Sequence, residues 1–195
     1  MIVLASRSAS RAAILKGAGV AFESAGSGVD EDAAKASLVA AGADPCGIAD
    51  ALAELKAVTV SRARPGLIIG ADQTLDLDGQ LYDKAGDLDE ARRRLRSLRG
   101  RTHHLHAAVV VARDGEAIWR ALASPRMTMR PFSDAFLEAY LARNADAVLG
   151  SVGCYQLEGE GVQLFEEIDG DYFAILGLPL LPLLDLLRRH GALAS

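Results

Sequence analysis

Residues 67–71, Leu-Ile-Ile-Gly-Ala, are the most constraining stretch of this chain. A continuous apolar run of this kind predicts a strand covered on both faces, which requires helices packed on a sheet. The run is expected to end at Asp72, placing a carboxylate at the sheet's carboxyl edge, where open α/β sheets gather their ligands. Two turns refine the class. Asp78-Gly79 lies between Thr74–Leu77 and Gln80–Tyr82, and Asp114-Gly115 between His106–Ala112 and Glu116–Ala123. Asp-Gly between strand-like segments marks a tight hairpin. The expected fold is therefore α/β, with a mixed, partly antiparallel sheet and flanking helices.

The remaining elements follow from periodicity and caps. Met1–Ala5 reads as a strand, followed by a polar loop and a helix that Ser8 caps and that Gly17–Gly19 ends. Leu52, Leu55 and Val58 recur at helical spacing within 49–62, and Leu88, Ala91, Leu95 and Leu98 mark the core stripe of a helix over 88–98. Residues 126–130 alternate as a strand does, and Ser133 caps a helix reaching Arg143. Short strands are expected around 152–157, 161–165 and 172–176, and an apolar helix over 178–190 closes the chain. There is no internal repeat and no long linker, so residues 1–195 are read as a single domain.

Composition narrows the function classes. Half of the 195 residues are hydrophobic and the net charge is −5, which excludes a disordered chain and argues against a dedicated nucleic-acid binder. No apolar run approaches the roughly 20 residues of a membrane span. The N-terminus has no basic region ahead of an apolar stretch, so no secretory signal is expected. Cys46 and Cys154 are far apart and outside any C-x-x-C pair, which points to a reducing cytoplasm and to apolar filling rather than a disulfide.

Candidate chemistry collects at a few places. Ser6, Arg7, Ser8, Ser10 and Arg11 crowd the start of a helix, where free N–H groups, hydroxyls and guanidiniums suit an anion, phosphate above all. Asp72 and the acidic cluster Asp30, Glu31 and Asp32, read as a loop, offer oxygen ligands for Mg²⁺. Lys56 and Lys84 are isolated point charges. The arginines at 92, 93, 94, 96, 99 and 101 read as a solvated helix face. His103, His104 and His106 have no zinc-ligand spacing; in a strand, 104 and 106 share a face that 103 does not. The P-loop, G-x-S-x-G and G-x-G-x-x-G patterns are absent.

Taken in order, these pieces resemble the Maf family of nucleoside triphosphate pyrophosphatases almost end to end. Leu4-Ala5-Ser6-Arg7-Ser8-Ala9-Ser10-Arg11 is similar to the family's L-A-S-x-S-P-R-R, and Leu52-Ala53-Glu54-Leu55-Lys56-Ala57 to its L-A-x-x-K-A. Gly70-Ala71-Asp72-Gln73-Thr74 stands where the family has G-A-D-T, Lys84-Ala85 at its K-P, and Leu98 to His103 at its L-x-G-R-T-H. Gly153 to Gly159 answers to G-A-Y-G-I-Q-G, and Ile168 to Tyr172 with Gly177 to Leu180 completes the pattern.

The resemblance implies two lobes around a central cleft, frequent homodimers, and metal-dependent hydrolysis of a nucleoside triphosphate to monophosphate and pyrophosphate. It implies a cytoplasmic, house-cleaning role against noncanonical or surplus nucleotides, with a link to cell-division arrest. Asp72, Lys84 and Glu31 become the candidate catalytic residues, Asp72 as proton acceptor for the attacking water. Ser6, Ser8, Arg11, Lys56, Gln156 and Glu158 become substrate-binding candidates, and Asp72 and Glu31 ligands for Mg²⁺ or Mn²⁺. The chain departs from the pattern at Ala9, Ser10, Ala85 and Glu158. Arg7 is available to replace the missing arginine. Gln156, two residues before Glu158, shares its face if the segment is a strand, and so supplies the missing amide. The TTP/UTP-preferring and 7-methyl-GTP-preferring branches both remain open. Two other classes stay in view: a nucleotide- or nucleic-acid-binding regulator of cell division with weak catalysis, and a metal-dependent phosphatase or nuclease.

Overall fold

The computed structural model describes residues 1–194. Its elements, in chain order, are β1 (Ile2–Leu4), α1 (Ala9–Gly17), β2 (Glu23–Ser24), α2 (Glu31–Ala40), α3 (Pro45–Ser61), β3 (Leu67–Leu77), β4 (Gln80–Tyr82), α4 (Leu88–Leu98), β5 (Thr102–Arg113), β6 (Glu116–Ala123), β7 (Arg126–Met129), α5 (Asp134–Arg143), α6 (Ala145–Gly150), a 3-10 turn (Glu160–Leu164), β8 (Phe165–Asp169), α7 (Tyr172–Ile175) and α8 (Leu180–Arg189). They build one eight-stranded sheet with the path β2-β1-β3-β5-β7-β8; β4 pairs with β3 and β6 with β5. β1 runs parallel to β2 and β3, and the other pairings are antiparallel. The mixed α/β class expected from the sequence is the observed one, and no helix among the described residues is long and apolar enough to cross a membrane.

The two long central strands, β3 and β5, carry two separate apolar cores. One gathers Leu75, Leu95, Leu98, Met127, Leu137 and Tyr140 beneath α4 and α5. The other gathers Leu4, Leu15, Ile69, Val111, Leu183 and Leu187 beneath α1 and α8. A third, smaller layer forms where α3 lies on the sheet. Ala49, Ala53 and Ala57, four residues apart on one face, pack against Ala108, Val110 and Ala112. Small side chains let this helix approach closely. A Cβ on Gly70 would sit 2.2 Å from the Ala53 carbonyl oxygen and 2.6 Å from the Ala57 nitrogen.

Several expectations are corrected. The apolar strand does not stop at Asp72; it continues to Leu77, because residues 72–76 pair in register with 104–108 of β5. Asp72 thus sits mid-strand, not at the sheet's carboxyl edge. β5 begins at Thr102 and α3 at Pro45, both earlier than expected. The acidic cluster at 30–32 is not a loop: Asp30 caps α2 and Glu31 and Asp32 form its first turn. No residue of α2 is buried, so there was no apolar stripe to reveal it. α6 was not anticipated either. The strands expected at 152–157, 161–165 and 172–176 are turns, a 3-10 turn and helix α7, while the strand lies at Phe165–Asp169. Short apolar runs do not distinguish these states. Here Cys154 at φ +60 and Asp171, which caps α7, decide them. Arg94 departs from the solvated arginine face and is buried.

Candidate active site

The first wall of the site is the β1–α1 loop. Ser8 is extended and its Oγ accepts the Arg11 N–H at 3.4 Å, as an N-cap should. Ser6 Oγ accepts the Ser8 N–H at 3.2 Å and an Arg11 guanidinium N–H at 3.3 Å. Arg11 Nε donates to the Gly177 carbonyl at 2.9 Å, after α7. Gly177 has φ +99, a backbone conformation that favours glycine. Burial lowers the Arg11 pKa, opposed by the charges of Asp72 and Glu31. A guanidinium nevertheless stays protonated, so the head of this wall is a fixed positive charge. Gln73 Nε2 donates to the carbonyls of Ala174 and Ile175 at 2.9 and 3.0 Å, tying α7 to β3.

The floor is a triangle of charge. Lys56 on α3 is 4% exposed, and its Nζ lies 2.7 Å from Asp72 Oδ1 and 2.6 Å from Glu31 Oε2. Asp72 is 8% exposed. The close seat of α3 on Gly70, two residues before Asp72, brings the lysine over the carboxylate. The helical start of α2 then delivers Glu31 to the same ammonium. Two carboxylates and one lysine, from three separate elements, converge on one point.

The opposite wall comes from the other core. Lys84 and Asp83 follow β4, and Gln156 and Glu158 lie in the turns after α6. Those turns are shaped from outside. Ser151 Oγ donates to the Tyr155 carbonyl at 2.7 Å and accepts its N–H at 3.0 Å. Arg94 donates to the Val152 carbonyl at 2.9 Å. The Tyr155 hydroxyl pairs with His103 Nε2 at 2.8 Å, both groups buried. Burial holds the His103 pKa down at about 3, so the ring is neutral. It also pushes the Tyr155 phenol well above its ordinary range. His104 and His106 stack on each other on the opposite strand face, as the alternation predicts.

All nine residues singled out from the sequence, Ser6, Ser8, Arg11, Glu31, Lys56, Asp72, Lys84, Gln156 and Glu158, line one cavity of about 560 Å³ between the two cores. Gln156 and Glu158 do so from turns rather than from one strand face. Arg7, Lys35, Gln73, Asp83 and Tyr155 join the lining. Lys35 was missed for the same reason as its helix, although its i, i+4 spacing from Glu31 would have placed both on one face. The cavity presents five cations (Arg7, Arg11, Lys35, Lys56, Lys84) against five carboxylates (Glu31, Asp32, Asp72, Asp83, Glu158). Its net formal charge is therefore zero, and the charges are partly paired: Lys56 with Asp72 and Glu31 at the floor, and Lys35 with Asp83.

The chain has known relatives in sequence. The family described as Maf-like protein matches residues 1–190. The chain is 66% identical over 192 residues, 98% of its length and 96% of the relative's, to a Caulobacter vibrioides protein named nucleoside triphosphate pyrophosphatase. It is 54% identical over 195 residues, 100% of its length and 96% of the relative's, to a Rhodospirillum rubrum protein of the same name. It is 51% identical over 190 residues, 97% of its length and 96% of the relative's, to a Brucella abortus protein named 7-methyl-GTP pyrophosphatase.

Proposed function

Because the chain belongs to the Maf-like protein family, we propose that it is a nucleoside triphosphate pyrophosphatase: it hydrolyses a nucleoside triphosphate to the monophosphate and pyrophosphate, clearing noncanonical or surplus nucleotides. The observation that carries this reading is the convergence of Lys56, Asp72 and Glu31 with Arg11 and Lys84 on one cavity. The names of the relatives support the same reaction.

The triphosphate brings about four negative charges near neutral pH, since the second ionisation of a phosphate lies near 6. Arg11, held by Ser6 and Gly177, grips phosphate oxygens, and Lys56 and Lys84 add point charges. Water attacks the α-phosphorus, the bond to the bridging oxygen breaks, and pyrophosphate leaves. Asp72 orients that water and accepts its proton.

A cavity of zero net charge does not by itself neutralise such a tail, and here the residues fit a hard dication. Oxygens of Asp72 and Glu31 both lie within 2.7 Å of one Lys56 nitrogen, so they converge closely enough to share a cation. Among the described residues no three His, Cys, Asp or Glu side chains group around a metal position. Their oxygens are the hard donors that Mg²⁺ or Mn²⁺ takes, and the pair would hold such an ion together with substrate oxygens and water. When bound, such an ion offsets the charge that builds on the phosphates.

On the base side, Glu158 is an exposed carboxylate at the cavity wall. It pairs with N–H donors of a guanine edge and is attracted to the positive charge that 7-methylation gives the ring, a reading the Brucella relative's name supports. Two free cysteines suit a reducing compartment, and we place the enzyme in the cytoplasm. The test is a panel of canonical and modified nucleoside triphosphates with Mg²⁺ or Mn²⁺ and resolved products. Monophosphate with pyrophosphate is expected; diphosphate with orthophosphate, or tight binding without turnover, overturns the reading.

A further inference from the structure

The site residues above leave two cations of the cavity, Arg7 and Lys35, without a task, and of these Lys35 is tied across it. Lys35 forms an ion pair with Asp83. That pair joins α2 to the segment after β4, and both residues line the cavity. Helix α2 has little else to hold it. None of its residues is buried and it packs chiefly against α3. Its inner face is Glu31 and Lys35, one helical turn apart, and both line the cavity; Glu31 already reaches Lys56 on the floor. Asp83 is the chain neighbour of Lys84, a cation on the opposite wall.

We propose that Lys35 is a further binding residue for the polyphosphate tail, and that Asp83 is the internal anion it exchanges for that tail. The inference rests on the triphosphate reading of the site. An ammonium is a compact point charge on a flexible stem, able to change partners by rotamer alone. The side chain of Lys35 is 24% exposed and that of Asp83 58%, so the pair is solvated and cheap to break. A phosphate group offers more charge and more acceptor oxygens than one carboxylate, so the exchange favours the substrate. In the empty enzyme the same lysine pins α2 across the cavity through Asp83.

The test compares K35Q, D83N and the double variant with wild type in steady-state pyrophosphate release. Neither side chain belongs to an apolar core, so folding is expected to be preserved, and a thermal melt of each variant checks it. K35Q is expected to raise KM about tenfold with kcat within about twofold, since one charge-assisted contact is worth roughly a decade of affinity. D83N is expected to lower KM about threefold, because the competing anion is gone. The decisive result is the double variant, whose KM should equal that of K35Q. If D83N lowers KM by the same factor with or without Lys35, Asp83 acts only as a background charge and the exchange is refuted. If K35Q leaves KM within twofold of wild type, Lys35 does not bind the tail. Calorimetric titration with inorganic triphosphate applies the same four-way comparison to binding alone. A wild type that turns over no nucleotide refutes the pyrophosphatase reading, while this titration still decides the exchange.

Discussion

Replacing Asp72 by Asn separates the chemistry of the floor from its stability. The swap keeps the size of the side chain and an amide oxygen for Lys56 at its 2.7 Å position. It removes one negative charge and the proton acceptor. Breaking a buried ion pair outright costs about 3–5 kcal/mol, because the partner is left charged and alone. That penalty does not apply here, since Lys56 Nζ keeps Glu31 Oε2 at 2.6 Å. The remaining loss is a charged contact turned neutral, about 1 kcal/mol, which for a chain of this size lowers Tm by about 2–4 °C. Catalysis is expected to respond far more. Loss of acid–base assistance costs on the order of 10² in kcat, about 2.7 kcal/mol of barrier. The assay is pyrophosphate release at saturating nucleotide and metal, read beside a thermal melt of the same sample. A kcat within threefold of wild type removes Asp72 from the mechanism. A kcat loss accompanied by a Tm drop beyond about 10 °C shows that Asp72 holds the fold rather than the water. Lys56→Met is the informative contrast. It leaves Asp72 buried without its cation, so its stability loss should approach the full buried-pair figure of about 3–5 kcal/mol.

Gly70→Ala is expected to cost about 1–3 kcal/mol by overpacking and to lower kcat, because a Cβ there drives α3, and Lys56 with it, off Asp72; an unchanged melt and rate would show that this seat does not position the pair. The His103 pKa is depressed to about 3 by burial, below the ordinary value near 6.5 that the unfolded chain retains. The unfolded state therefore binds more protons between these values, and stability is lost as pH falls from about 6.5 toward 3, by up to about 1.4 kcal/mol per pH unit. Denaturant titrations at pH 7 and pH 5 should show this slope in wild type and lose most of it in His103→Gln; equal slopes would assign it to other groups. Glu158→Gln should reduce the preference for a 7-methylguanine base over uracil or thymine, and an unchanged ranking on the nucleotide panel would mean that Glu158 does not read the base. Chelation by EDTA should abolish turnover while Mg²⁺ or Mn²⁺ restores it; full activity in EDTA would refute the metal requirement.

Much of what the chain settles locally was legible, though the caps Asp30 and Asp171 were not. The apolar run at 67–71, the Asp-Gly turns at 78–79 and 114–115, the caps Ser8 and Ser133, and the stripe of α4 all depend on neighbours within a few residues. Eight of the nine site residues stand in short motifs, each weak alone, and Glu31 in an acidic cluster, and the fold draws them into one cavity. The rest depended on partners distant along the chain. Whether the strand stopped at Asp72 depended on β5 pairing with residues 72–76. The turns carrying Gln156 and Glu158 take their shape from His103 and Arg94. α2 buries nothing, and its polar contacts with α3 and Asp83 leave no periodic trace. The union of Lys56 with both Asp72 and Glu31 was likewise invisible, because a lysine's charge is written in the sequence while the carboxylates it meets are chosen by how closely a helix settles on a glycine.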